Sequence, residues 1–247
     1  MTTRETQQEW KKQNDARKRY YNKWQKLWQQ YYIDQGSRLI DYENAFSYAS
    51  VEAMFVNMYV DVGVPFAKNA FSNTKATATS RQTMQWAELM ANYAKVYGSQ
   101  SIRSISITGL KDARKIIQDL TSQGLEMGLS SAELSLFLRE AIPDAWKIPS
   151  KFNSVRIART EIVAAQNEGS YQGALATGLE LQKVWLTVMD GRERDSHAAA
   201  NGQARPMNEP FVLGDGVQIS KPGAKGAPPE DTINCRCAVL YEPILPK

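Results

Sequence analysis

"FNSVRIARTEIVAAQNEGSYQGALATG" (Phe152 to Gly178) is followed almost at once by "LQKVWLTVMD" (Leu181 to Asp190), and the change of pattern between them decides the fold class. The first stretch reads as one long helix, with Asn153 or Ser154 placed to cap its start and Gly178 to end it. The second alternates and is rich in β-branched and aromatic side chains, which predicts a strand. Between Gly202 and Pro229 the glycine and proline density rises, and short strand-like pieces stand at Pro210–Leu213 and Val217–Ile219. Such a long Gly/Pro-rich loop is either disordered or a functional loop held by its neighbours. "NCRCAVLYE" (Asn234 to Glu242) reads as a closing strand, on which Cys235 and Cys237 share a face because strand side chains alternate. A long helix with short strands and a long loop makes this end of the chain a small α+β domain.

Toward the N-terminus the periodicity is helical. Tyr20, Trp24, Leu27, Trp28 and Tyr31 recur at helical spacing, and so do Tyr42, Ala45, Phe46, Ala49, Ala53, Val56 and Val60. Gly63-Val64-Pro65 is expected to end that second run, and a Ser/Thr/Asn-rich connector (Ser72 to Ser80) to precede a helix closed by a left-handed Gly98. Thr108 is expected to cap the next helix. Ser130 and Glu133 have the spacing of a capping box, and Pro143 is expected to end the helix that follows it. Two prolines in "PDAWKIPSK" (Pro143 to Lys151) then mark the boundary between a mostly helical region, 1–145, and the α+β domain, 146–247.

Charge is unevenly placed. The chain of 247 residues carries a formal +4, yet residues 1–40 hold nine of its Lys and Arg against four acids. Lys11, Lys12, Arg17, Lys18, Arg19, Lys23 and Lys26 lie among aromatic residues, a pattern that suits non-specific contact with double-stranded DNA and equally suits a solvated cationic helix face. No apolar run approaches the roughly 20 residues of a membrane span, and the first residues do not form a signal peptide. Two cysteines one residue apart make a poor disulfide framework. A protein made in the cytoplasm, and kept there or packaged from it, is the expectation.

His197 is the single histidine, so a site that needs imidazole must use it. With Cys235 and Cys237 it makes a three-ligand set suited to zinc, with Asp190 or Asp195 as candidate fourth ligand. The alternative is a pair of small buried thiols packed on a core strand beside a hydrogen-bonded imidazole. Asp190, Arg192 and Arg194 fit an anion-binding cluster or, with Arg159 and Glu161 as partners, a structural Arg–carboxylate network. A nuclease or an ADP-ribosyltransferase is the enzymatic alternative, but no complete catalytic constellation is present: no Gly-rich phosphate loop, no nucleophile elbow, and one histidine for two tasks.

Three fragments in order, "RIARTEIVAAQNEG", "VWLTVMDGRERDSH" and "PEDTINCRCAVLYE", resemble the phage Mu F-like minor head protein domain. The shared pattern is an Arg-Thr-Glu helix (Arg159, Glu161), a W-x4-D-x-R-x-R-x2-H segment (Trp185, Asp190, Arg192, Arg194, His197), a Gly/Pro-rich stretch and Asn234 opening the Asn-Cys-Arg-Cys strand. The resemblance covers about Ser130 to Glu242. It implies a low-copy, portal-associated virion protein of a tailed double-stranded DNA phage, held in the capsid interior near the portal vertex and assembled in the host cytoplasm. The implied partners are the portal protein, other capsid or scaffolding proteins, and DNA. Some relatives carry a toxin domain after this region; only "PILPK" follows the closing strand here, so no attached effector is expected.

Overall fold

The inward face of the first helix is written at spacings of three and four: Gln13, Arg17, Tyr20, Trp24, Trp28 and Tyr32 are buried, while the residues between them are mostly exposed. In the computed structural model, which describes residues 3–38, 45–74 and 77–244, this is α1 (Thr3–Ser37). It is followed by α2 (Tyr48–Thr74), α3 (Ser80–Tyr97), α4 (Ser99–Glu126) and α5 (Ser131–Leu175). These helices form a bundle around one large aromatic-rich core. Its indoles find partners as buried indoles must: Trp24 Nε1 donates to Asp61 at 2.8 Å, Trp28 Nε1 to the Met58 sulfur at 3.4 Å, and Trp146 Nε1 to the Tyr32 carbonyl.

A small mixed α/β region follows the bundle. It contains β1 (Leu181–Leu186), α6 (Asp195–Ala199), β2 (Ala204–Pro206), β3 (Phe211–Val212), β4 (Gln218–Ile219), α7 (Pro229–Thr232) and β5 (Ala238–Pro243). The sheet has the order β2-β1-β5 and is antiparallel throughout, with Trp185 opposite Val239; β3 and β4 form a separate hairpin within the Gly/Pro-rich stretch. One sheet face (Leu181, Trp185, Val239, Tyr241) packs on Phe211, Ile219, Cys235 and Cys237. The other (Val184, Leu186, Ala238) is covered by Trp10 of α1. Helix α1 therefore roofs strand β5, from the opposite end of the sequence.

Several expected breaks are absent. Pro65 lies inside α2, and Pro143 and Pro149 lie inside α5, whose 45 residues extend for about 67 Å at 1.5 Å per residue. Each proline forfeits one helical hydrogen bond, but tertiary packing holds the helix on both sides of it: Ile142, Trp146 and Ser150, at successive i, i+4 positions, are all buried across the two prolines of α5. The stretch expected to separate 1–145 from 146–247 is thus continuous helix, and the long helix of the small region is the C-terminal part of a helix begun at the capping box of Ser130 and Glu133. Gly98 is helical (φ −81°) rather than left-handed, and joins α3 directly to α4, so Thr108 sits within α4 and caps nothing. Ala45 and Phe46 form a turn before α2, and Tyr42 lies outside the described residues. Gly178 does take the left-handed conformation (φ 67°), three residues beyond Leu175.

The C-terminal part of α5 is buried without interruption from Glu161 to Ser170. It crosses α2 at small residues on both helices. A Cβ built on Gly169 would stand 2.1 Å from the Gly63 carbonyl oxygen, and one on Gly173 would stand 2.1 Å from that of Ala67. Helix propensity alone would make Gly169→Ala stabilising by about 1 kcal/mol. The backbone contact reverses the sign, and destabilisation by about 1–3 kcal/mol is expected. Urea unfolding checks this; a variant at least as stable as the parent would mean that α2 and α5 are free to move apart.

Candidate metal centre

Two segments bring His197, Cys235 and Cys237 together. His197 sits on the short α6, placed by Thr187: the Thr187 hydroxyl donates to the His197 carbonyl (2.9 Å) and accepts from Trp185 Nε1 (2.9 Å). The Trp185 ring also meets the imidazole nearly edge-on, with centroids 5.5 Å apart. The cysteines lie not on a strand but in the turn between α7 and β5, since the closing strand starts only at Ala238. Asn234 enters that turn at φ 56°, a left-handed value that Asn tolerates better than most residues, and its N–H donates to Thr160 Oγ1 at 3.0 Å. The Arg236 carbonyl accepts from Trp10 Nε1 and Arg17 Nη2, both at 2.9 Å, and the Cys237 carbonyl accepts from Asn167 Nδ2 at 3.3 Å. Helices α1 and α5 thus fix the backbone that aims both thiols inward.

The resulting cluster is buried, and its donor atoms all lie within 4.8 Å of one another. His197 Nδ1 is 3.5 Å from Cys237 Sγ and 3.7 Å from Cys235 Sγ. A tetrahedral zinc with bonds near 2.3 Å to sulfur and 2.0 Å to nitrogen would separate the two atom types by about 3.5 Å. The spacing fits the ion, and so does the chemistry of one imidazole and two thiols. On the far side of the ring, Asp231 Oδ1 stands 3.5 Å from Nε2, too loosely placed for a hydrogen bond but on the side where a carboxylate would orient a metal-bound imidazole.

The proposed fourth ligands are elsewhere. Asp195 is exposed in the first turn of α6. Asp190 is gripped by both Nη atoms of Arg236 (2.7 and 2.8 Å) and by Arg192. These guanidiniums hold the Asp190 carboxyl well below the usual carboxylate range. The clamp is therefore complete at neutral pH and is lost only as strong acid carries the pH down through that depressed value. Arg194 donates to the Ile233 carbonyl at 2.7 Å. The network expected to include Arg159 and Glu161 does not include them: Arg159 lies over the Tyr21 ring, while Glu161 binds Tyr59 and Lys225. Arg236, the middle residue of Cys-Arg-Cys, takes their place.

Arg17 is the other correction. Expected on the cationic outer face of α1, it is buried behind the cysteines, where desolvation holds its guanidinium down to about 10 against the pull of both sulfurs. A hydrogen bond from Cys237, helped by His197, holds Cys235 well below the usual thiol range, and the same bond together with burial pushes Cys237 up. No signal in α1 separates Arg17 from its neighbours except its register with Tyr20 and Trp24 on the inward stripe.

The cluster is capable of coordinating a metal ion such as zinc, which would staple α6 to the turn before β5. Elemental analysis of gently purified protein is expected to find about one zinc per chain, and Cys235→Ala should then lower stability by several kcal/mol. Without a bound ion the same substitution leaves only a small void, and a loss of about 1–2 kcal/mol would identify the cysteines as packing residues.

The sequence family described as "Phage Mu protein F like protein" matches residues 115–240, from the second half of α4 into β5. An NAD(+)–arginine ADP-ribosyltransferase, EFV, of Enterococcus faecalis (strain ATCC 700802 / V583) is 29% identical over 132 residues, which are 51% of this chain and 26% of that protein. No solved structure gives a significant match. The family match spans half of the chain and contains His197, Cys235, Cys237 and every residue that orients them except those of α1. This chain belongs to the phage Mu protein F-like family.

Proposed function

We infer that this protein is a minor head protein of a tailed double-stranded DNA phage. It is recruited to the portal vertex, retained in the capsid interior, and acts without catalysis in head morphogenesis and in packaging or delivery of the DNA. The family match carries this reading, because it takes in α5 and nearly all of the small α/β region with the cluster. Exposed apolar side chains on α5, among them Leu136, Ile148 and Phe152, suit contact with a portal or scaffolding partner. No helix among the described residues is long and apolar enough to cross a membrane.

The transferase relative favours a second reading, an NAD-dependent enzyme. The two buried acids of α5 favour the first. Glu161 and Glu168 are both buried and are held by Lys225 and Lys221, so they serve as struts rather than as free carboxylates. Release of nicotinamide from NAD by the purified protein would establish the second reading. Mass spectrometry of purified procapsids and virions tests the first: the protein should be present in both, at low copy, and its absence from both would overturn the assignment.

DNA contact belongs to the outer face of α1, where Lys11, Lys12, Lys18, Arg19, Lys23 and Lys26 are exposed. Ion pairs of Lys12, Lys18 and Lys23 with Glu9, Asp15 and Asp61 reduce the free charge, so binding should be weak and strongly salt-dependent. Reversal of Lys11, Lys12, Lys18 and Lys26 to Glu leaves the buried stripe intact. The expected result is a flatter log–log salt slope, by about 0.9 for each phosphate no longer neutralised, with unchanged helical circular dichroism. An unaltered slope would assign the face to solvent.

A further inference from the structure

Beside the metal cluster lies a cavity of about 250 Å³ with Arg192, Arg194, Asn234 and Arg236 around it and His197 and Cys237 in its wall. Two of the three candidate metal ligands therefore border open space. Among the described residues the ligand set stops at three, since only His197, Cys235 and Cys237 group within metal-binding distance. Asp231 stands at the opposite ring nitrogen, 3.5 Å from Nε2. A tetrahedral ion held by three protein atoms keeps its fourth position for something else.

The cavity itself says what that is. Three arginines line it, against one lining carboxylate, Glu193, whose Oε2 is occupied by the backbone N–H groups of Asp190 and Arg192 (3.0 and 3.1 Å). A guanidinium offers five N–H donors. Arg194 uses one on the Ile233 carbonyl, and Arg236 uses its two Nη atoms on Asp190. Both guanidiniums keep N–H donors beyond these bonds, and Asp190 fixes the position of Arg236. The volume lies below the roughly 300–1,000 Å³ of drug-sized ligand pockets. It is sized for a small oxyanion.

We propose that a metal bound by His197, Cys235 and Cys237 keeps one coordination position open to this cavity, and that a small oxyanion of the phosphate class binds there between the metal and the guanidiniums of Arg194 and Arg236. The proposal rests on metal binding at the cluster. The anion is either free phosphate or the terminal phosphate of a DNA strand, which has the same chemistry.

Cobalt(II) in place of zinc in the full-length protein provides separate readouts. A near-ultraviolet thiolate-to-cobalt band reports that the cysteines hold the ion, and the visible bands report the fourth ligand. Inorganic phosphate should shift the visible bands saturably while the thiolate band persists. Arg194→Gln should weaken that response by roughly tenfold with the thiolate band unchanged, which also shows that the variant has folded. A 5′-phosphorylated oligonucleotide that reproduces the shift, where its 5′-hydroxyl counterpart does not, would identify a strand end as the source; no response to either leaves free phosphate as the ligand. Visible bands unmoved by millimolar phosphate, with the thiolate band present, would overturn the open position and leave a closed structural site. Absence of the thiolate band would instead overturn metal binding, and this proposal with it.

Discussion

A helix buried on every side must find a partner for each polar side chain it carries, and α5 carries five such residues between Glu161 and Ser170. Leaving one unpaired would cost about 1–3 kcal/mol, more for a charged group. Four of them reach outward to different parts of the chain. Glu161 takes Tyr59 of α2 and Lys225, Gln166 takes Gln13 of α1, Asn167 takes the Pro222 and Cys237 carbonyls and the Val239 N–H, and Glu168 takes Lys221. The buried polar positions of this one helix thus specify where α1, the Gly/Pro-rich segment and β5 must lie.

Residues of the Arg-Thr-Glu motif take part in this assembly. Thr160 receives the Asn234 N–H and so sets the turn of the cysteines, while its neighbour Glu161 anchors Lys225. Lys225 and Lys221 lie against aromatic rings (Phe55 and Tyr59, Tyr93 and Tyr171), which lets a loop rich in glycine and proline be held by cations where it lacks apolar side chains of its own. The family match starts at residue 115, yet Trp10, Gln13 and Arg17 of α1 bind the backbone at Arg236 and Val239. The helical region is part of the site.

The sequence allowed the helices of the bundle, the strand after Gly178 and the grouping of His197 with the two cysteines to be anticipated, because periodicity and rarity are local properties. The continuity of α5 was not legible. Proline is a local signal for a break, whereas the burial of Trp146 between two prolines is tertiary. The same limit misassigned Arg17, since its register with Tyr20 and Trp24 places it on the inward stripe but gives no sign that its own turn faces a buried strand. No local rule separates the tasks of Asp190, Asp195 and Asp231 either. Only the tertiary packing places Asp231 on the imidazole and Asp190 on Arg236.

The roof that α1 forms over β5 has a consequence for biogenesis. Trp10 and Arg236 are separated by 226 residues, and Gln13 and Val239 by the same number. At about 5–20 residues per second, the ribosome takes roughly 10–45 s between making the first partner and making the second. Throughout that interval the indole of Trp10 and the guanidinium of Arg17 have no strand to cover. The bundle core of α1 to α4 can collapse early, but the cysteine turn can close only when β5 has left the ribosome. Until then the turn of Cys235 and Cys237 lacks the β5 strand that continues it, and Trp10 and Arg17 lack the Arg236 carbonyl that they bind.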